Sequence, residues 1–311
     1  MSYLSRLNKA YQGALTLPLL NSSKYVIISD CHRGNGTAND NFLKNKTLYL
    51  AALRHYYNYG FTYLELGDGD ELWENRRIEQ IMEIHSDIFH LLECFYTQNR
   101  LYMLYGNHDI IKKRRSYSSR HYRHYPNYCY NNPHLTNKSL MPNLRFYEGI
   151  LLRPTHATWA SGSSASHMSL PKKTEIFLTH GHQAELRNST LWPLSRFLVR
   201  HLWKPLERLG IADPTSAGKN YTRSTKKTEK RLEKFAKQKG ILQIAGHTHR
   251  PYLSEENLHY CNSGCCIHPY SITCLEIENL QISLVKWQLN TDSNNHLYVK
   301  REILSGPFPC P

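Results

Sequence analysis

The chain has 311 residues, 40% of them hydrophobic, and 39 Lys and Arg against 25 Asp and Glu give it a formal charge of +14. That size and apolar content allow one large α/β core or two ordinary ones without staples, which excludes the small disulfide- or metal-clipped scaffolds. No stretch approaches the roughly 20 apolar residues of a membrane span, and the positive balance favours anionic partners: nucleotides, anionic lipid headgroups or nucleic acid.

The opening MSYLSRLNKAYQGALTLPLL has no apolar run of secretory length and reads as a short amphipathic lead-in. Residues 24–29 (KYVIIS) are a β-branched apolar run, hence a buried strand, ending in Asp30-Cys31-His32 and a loop with Gly34 and Gly36. Apolar residues near helical spacing predict a helix over 42–59, stopped by Gly60. Residues 61–66 (FTYLEL) form a second strand, ending in Gly67-Asp68, and 78–96 a second helix. A third strand, 100–105 (RLYMLY), ends in Gly106-Asn107-His108-Asp109.

Residues 112–143 are basic and Tyr-rich with Pro126, Pro133 and Pro142, and 159–169 (WASGSSASHMS) are low in complexity and read as a mobile loop. The strand 175–179 (EIFLT) ends in His180-Gly181-His182. Residues 184–239 read as helical, with Leu191, Leu194, Leu198, Leu202, Leu206 and Leu209 on one stripe and breaks at Pro193 and Pro205. The strand 241–245 (ILQIA) ends in Gly246-His247-Thr248-His249, and the tail holds four more strands, near 259–262, 271–277, 281–289 and 297–303. Helices between early strands, then strands alone, predict sheet layers flanked by helices. The eight cysteines are irregularly spaced and read as reduced thiols of a cytoplasmic protein.

Five strand-to-loop junctions thus end in groups able to hold a metal: Asp30 and His32, Asp68, Asn107 and His108, His180 and His182, His247 and His249. In open α/β folds such strand ends converge on one site. Asp30-x-His32 puts two side chains on one side of an extended segment, so both can bind one ion. Carboxylates, imidazoles and an amide oxygen suit borderline or hard divalent ions, with Mn²⁺ preferred and Fe²⁺ or Zn²⁺ as alternatives.

Asp30-x-His32, Gly67-Asp68, Gly106-Asn107-His108-Asp109, His180 and Gly246-His247-Thr248-His249 resemble, in order, the motifs of the calcineurin-like metallophosphoesterases. The resemblance implies a single domain over 1–311, folded as an α/β/β/α sandwich. It implies that Asp30, His32 and His249 hold one divalent ion and Asn107, His180 and His247 a second, with Asp68 bridging. It further implies His108 as the catalytic imidazole and Asp109 as the residue orienting it. Within the family, Gly67-Asp68-Gly69-Asp70-Glu71-Leu72-Trp73 and Gly246-His247-Thr248-His249-Arg250-Pro251 are similar to elements of the UDP-2,3-diacylglucosamine pyrophosphohydrolases. Those enzymes often carry Arg at the position of His108; the His here resembles phosphatases and phosphodiesterases at large.

The substrate stays open between a nucleotide-diphospho or lipid-linked compound, a nucleic-acid phosphodiester and a phosphoprotein. Outside enzymes, the alternative is a basic binding module with a relic site. The two insertions, 112–143 and 184–239, begin beside motifs and are expected to cap the site. Arg114 and Arg115 in the first, and Arg33, Glu71 and Arg250 beside the motifs, are candidate contacts to an anionic phosphorylated substrate. Trp192, Phe197 and Trp203 suit core packing or an acyl-binding lid, and the basic helix before Gly240 suits peripheral membrane contact. Tyr117, Tyr122, Tyr125 and Tyr128 among basic residues would suit base stacking, but no nucleic-acid-binding motif accompanies them and no obligate nucleic acid is expected.

Overall fold

The computed structural model describes residues 1–37, 40–122, 140–155, 174–203 and 223–310. In chain order it runs α1 (Tyr3–Gln12), β1 (Leu15–Leu19), β2 (Lys24–Ile28), α2 (Lys46–Asn58), β3 (Thr62–Leu66), α3 (Ile78–Ile84), α4 (Ser86–Thr97) and β4 (Leu101–Leu104). There follow α5 (Tyr117–His121), β5 (Phe146–Tyr147), β6 (Gly149–Pro154), β7 (Ile176–Thr179), α6 (Leu186–Ser189) and α7 (Trp192–Leu198), which continues as a π-helical turn, Val199–Trp203. The chain closes with α8 (Arg223–Lys239), β8 (Leu242–Ala245), β9 (Tyr260–Asn262), β10 (Ser271–Glu278), β11 (Gln281–Thr291) and β12 (Leu297–Pro309).

The strands form two sheets, one in the order β1-β6-β7-β8-β9 and one in the order β12-β11-β10-β2-β3-β4-β5. The centre of the larger sheet is parallel, with Val26 opposite Tyr63 and Leu64 opposite Tyr102. Parallel strands covered on both faces need near-continuous apolar runs, and 24–28 and 62–66 supply them.

Alternation along each strand divides the apolar side chains into three cores. Val26, Ile28, Tyr63, Met103, Cys274 and Val285 face Leu48, Ala52, Leu53 and Tyr56 of α2 and Ile88, Phe89, Leu92 and Phe95 of α4. Tyr25, Ile27, Leu64, Leu66, Leu275 and Ile277 face Ile150, Leu152, Ile176, Leu178, Leu242 and Ile244 of the smaller sheet. Leu151, Phe177 and Ala245 point the other way, onto Leu7 and Ala10 of α1 and Leu232, Phe235 and Ala236 of α8. The result is the four-layer α/β/β/α sandwich, and the helices leave the strand ends open to one another.

Three expectations need correction. The helix over 78–96 is two helices, because His85 breaks it: its Nε2 lies 3.1 Å from both the Gly34 carbonyl and Asp40 Oδ2, drawing the ring into the preceding loop. The lead-in is α1 plus an edge strand, β1, which pairs in parallel with β6. Strand β6 itself, GILLRP, was not anticipated; it is a short apolar run without the alternation that marks a half-buried strand. The low-complexity stretch 159–169 lies outside the described residues. Among the described residues, no helix is long and apolar enough to cross a membrane.

The late strands are tied to α2 through Trp287, whose Nε1–H donates to Tyr56 Oη at 2.8 Å, while that hydroxyl donates to Glu276 at 2.6 Å. Trp287→Ala should cost about 3–5 kcal/mol through lost burial and a cavity, and Trp287→Phe about 1 kcal/mol through the lost hydrogen bond. Urea denaturation of the two variants checks both the size and the order of these losses.

Candidate metal centre

Backbone strain concentrates at the strand ends. Asp30, His32, Asp68, His247 and His249 all adopt positive φ, between 48° and 66°. Non-glycine residues seldom do so, Asp and His more readily than most, and such strain gathers at functional sites. The turns after β3 and β4 also touch: a Cβ on Gly67 would lie 2.5 Å from the Gly106 amide, and one on Gly106 would lie 2.1 Å from Asp68 Oδ1. Only glycines let these two turns close on the Asp68 carboxylate. Between the turns after β2 and β3, Asp30 N donates to Gly67 O and His32 N to Asp68 O.

The side chains gather into three groups, two of them built on an aspartate: Asp30, His32 and His249, and Asp68, His180 and His247; the third, His32, Glu71 and His108, shares His32 with the first. Asp68 Oδ2 lies 3.1 Å from His180 Nε2 and 3.9 Å from His32 Nε2, and Oδ1 accepts the His108 amide at 2.8 Å. His180 Nδ1 donates to the Leu66 carbonyl at 2.8 Å, so Nε2 is the nitrogen that faces Asp68 and, at 3.2 Å, Asn107 Oδ1. His32 is held likewise: Nδ1 lies 2.8 Å from Glu71 Oε2, and Nε2 faces His249 Nε2 at 3.4 Å.

Lone pairs so placed repel unless a cation lies between them, either a proton or a metal ion. Asp30 Oδ1, buried without a hydrogen-bond partner, points at His249 Nε2 across 3.0 Å. Two carboxylates, one amide oxygen and four imidazoles fit two borderline divalent ions.

Electrostatics agree. Burial alone would raise both aspartates, yet His249 and His180 hold Asp30, and His180 and His108 hold Asp68, far below the usual carboxylate range. Burial disfavours a charged His180, but Asp68 and Asp30 outweigh it and lift the imidazole to about 9. His249 is instead lowered, by burial, with the neighbouring His32 adding to the effect.

His108 stands at the edge of this centre. Its Nδ1 lies 2.7 Å from Glu71 Oε2 and 2.8 Å from Oε1, and its ring stacks on Trp73 with centroids 4.2 Å apart. Burial opposes its charging, but Glu71 and Asp68 turn the net shift upward. The orienting residue is therefore Glu71, not Asp109. Asp109 accepts the Gly106 amide at 2.7 Å and the Asp68 amide at 3.3 Å through Oδ1, and pairs with Lys112 through Oδ2 at 2.7 Å. It fixes the two glycine turns and does not reach the His108 ring. Glu71 also holds His32, so one carboxylate positions a candidate ion ligand and the half-buried His108 imidazole together.

Arg33 is not a substrate contact. It is fully buried, with Nε on Asp70 at 2.7 Å and Nη1 on Glu65 at 2.8 Å. Lys112, the first residue of the basic insertion, is also buried and bridges Asp70 at 2.6 Å to Asp109. Burial would raise Asp70, but Arg33 and Lys112 hold it at about 2. Tyr117 and Tyr122 are core residues rather than stacking platforms, and Tyr125 and Tyr128 lie outside the described residues. Arg114, Arg115 and Arg250 are exposed.

His182 is buried beside His180 but belongs to neither group. Glu185 and Asn188 went unforeseen: they approach His247 Nε2 at 3.5 Å and 3.4 Å, and no motif spacing marks them.

The family model for calcineurin-like phosphoesterases matches residues 23–251, which span the strands and turns just described. The chain belongs to this family. Its members are metal-dependent hydrolases of phosphoesters, in keeping with the two aspartate-containing candidate ligand groups of this phosphoesterase. No curated protein sequence matches it. Among solved structures it is similar to a conserved uncharacterized protein of Streptococcus pneumoniae TIGR4, a predicted phosphoesterase, at 12% identity over 90% of this chain and 97% of that one, with a TM-score of 0.31. It is also similar to Vps29 of Chaetomium thermophilum, at 10% identity over 91% and 96% of the two chains, with a TM-score of 0.34. The assignment rests on the family model.

Two outcomes follow for the phosphoesterase. Lys112→Met strips Asp70 and Asp109 of their shared cation and should destabilise the fold by about 3–5 kcal/mol; a loss below about 1 kcal/mol in chemical denaturation would show the network to be dispensable. Ion binding must displace the His180 proton, which is held below about pH 9 without an ion. Metal affinity should therefore fall as pH drops from 9 towards 6, with proton release at neutral pH. Calorimetry in buffers of different ionisation enthalpy reads that release directly, and a buffer-independent heat would contradict it.

Proposed function

We propose that the chain hydrolyses a phosphoester or phosphoanhydride at a centre of two divalent ions, Mn²⁺ by preference and Fe²⁺ or Zn²⁺ as alternatives. When bound, such a pair supplies an activated water and neutralises charge on the phosphoryl oxygens. Asp30, His32 and His249 would hold one ion, Asn107, His180 and His247 the other, and Asp68 both. The observation that carries this reading is Asp68 Oδ2, which faces an imidazole from each group.

The chain's own contribution to bond cleavage lies with His108. Glu71 engages Nδ1, so Nε2 is the nitrogen left to meet the leaving oxygen. The upward shift keeps the ring protonated nearer neutral pH, as a general acid requires. Trp73 stacks on the ring and fixes its plane.

The substrate is an anionic phosphorylated molecule, and the surroundings favour an amphipathic one. Leu191, Leu194, Leu198 and Leu202 form a stripe that is 40–57% exposed, with Phe197 beside it at 58%. That stripe does not pack into the core, which supports the lid over the packing alternative and favours a lipid-linked substrate or a peripheral membrane contact. Segments 112–122 and 184–203 act as parts of a cap: Lys113 lies over the Trp192 ring at 5.6 Å, and Arg200 donates to the Leu72 and Trp73 carbonyls at 2.8 Å. Residues 123–139 and 204–222 lie outside the described residues, whereas the ends of the two insertions are no part of a cap: Leu140 and Met141 pack in the first core, and α8 packs on the outer face of the smaller sheet through Leu232, Phe235 and Ala236.

His108→Ala should lower turnover by about 10²–10⁴ while leaving metal content intact. The loss should be smallest for aryl phosphates, whose leaving groups need least protonation, and largest for alkyl phosphates. Equal losses on both substrates would remove the general-acid role, and loss of metal would make His108 a ligand instead.

A further inference from the structure

The helix α7 is turned the wrong way for an ordinary surface helix. Amphipathic helices bury their apolar stripe, yet here Leu194, Phe197 and Leu198 face outward at 57%, 58% and 40% exposure. Arg196 and Arg200 are half-buried on the side towards the protein body. Arg200 explains part of this, since it is bound to backbone carbonyls of the loop that follows Glu71. Among the described residues, Arg196, one turn earlier, has no such tie.

Three segments bring cations to this place. Arg76 follows the loop that Arg200 grips. Arg114 follows Lys113, which lies over the Trp192 ring one turn before Arg196. Arg196 is disfavoured as a cation first by burial and then by Arg114 and Arg76; Arg200 is disfavoured by burial, Arg196 and Arg76, with Glu71 the acid that relieves it. Among the described residues, no Asp or Glu stands among the charged groups that act on Arg196. Arg76 and Arg114 are exposed and Arg196 is half-buried, so the cost of drawing these like charges together falls on Arg196 unless an anion joins them. Glu71 is committed to His32 and His108, so it does not supply that anion.

We infer that Arg76, Arg114 and Arg196 form an anion subsite on the His108 side of the metal centre, which receives a second phosphoryl group of the substrate beyond the one cleaved. Planar guanidinium groups suit a phosphate's oxygens, taking two hydrogen bonds each. The subsite rests on the proposed hydrolytic reading and narrows it, because it selects substrates with two separated phosphoryl groups over simple monoesters. Arg200, tied to the loop carbonyls, sets the helix so that Arg196 faces inward.

Non-hydrolysable probes test this on the Mn²⁺-loaded full chain. Calorimetry would compare alkane bisphosphonates with three to eight carbons between the phosphonates against an alkyl monophosphonate. The monophosphonate reports on the metal centre alone, and the ratio of affinities reports on the subsite. The best bisphosphonate should bind at least about tenfold more tightly, since a charge-assisted bond contributes roughly 1.5–3 kcal/mol. In Arg114→Gln/Arg196→Gln that advantage should shrink to about twofold or less, and Arg→Lys at both positions should restore part of it. Circular dichroism and melting curves establish that the variants are folded. No advantage in the wild type, or one that survives the double substitution, overturns the subsite. Aryl phosphate hydrolysis and metal content, measured on the same preparation, decide the hydrolytic reading separately.

Discussion

The centre depends on where Asp68 is held. Its Oδ1 is fixed by the His108 amide, and its Oδ2 faces His180 and, farther off, His32. Placing a carboxylate there requires the turns after β3 and β4 to meet at backbone distance, which the Gly67 and Gly106 contact achieves. It also requires left-handed backbone at Asp68 itself, and at Asp30, His32, His247 and His249. At about 1–3 kcal/mol per such residue, this arrangement is stable only because two packed sheets fix the strand ends from which the turns spring. Ions that join the imidazoles and carboxylates would offset the same strain.

Beneath the turns lies a second device. Arg33, Glu65, Asp70, Lys112 and Asp109 form a chain of buried charges, each cation shared between two acids. Such pairs gain little net stability over apolar packing, but breaking one leaves an uncompensated buried charge. The chain therefore gives the glycine turns a single well-defined position rather than extra stability. Asp109 is its upper end, donating nothing and accepting the amides of both Gly106 and Asp68.

Much of this was legible in the sequence. An apolar run of strand length followed by Asp or His states both the strand and the end at which the ligand stands, so the architecture and the convergence of Asp30, Asp68, Asn107, His180 and His247 could be read together. What sequence could not supply was direction. Arg33 and Lys112 look like substrate-facing cations, because a basic residue beside a motif reads the same whether it meets solvent or an acid tens of residues away. Asp109 looked like the partner of His108 because the family resemblance of Gly106-Asn107-His108-Asp109 implied it. Glu71, 37 residues upstream, is brought there by the turn after β3. The leucine stripe of α7 was visible as periodicity, but periodicity does not say whether a stripe faces in or out. The break at His85 depends on a hydrogen bond to a loop 51 residues away, which no local pattern encodes.

The most direct test is anomalous X-ray diffraction at the manganese edge, from crystals grown with Mn²⁺. The account predicts two peaks about 3.5–4 Å apart, with Asp68 contacting both, Asp30, His32 and His249 around the first, and Asn107, His180 and His247 around the second. A single peak, or two peaks that Asp68 does not join, would contradict it.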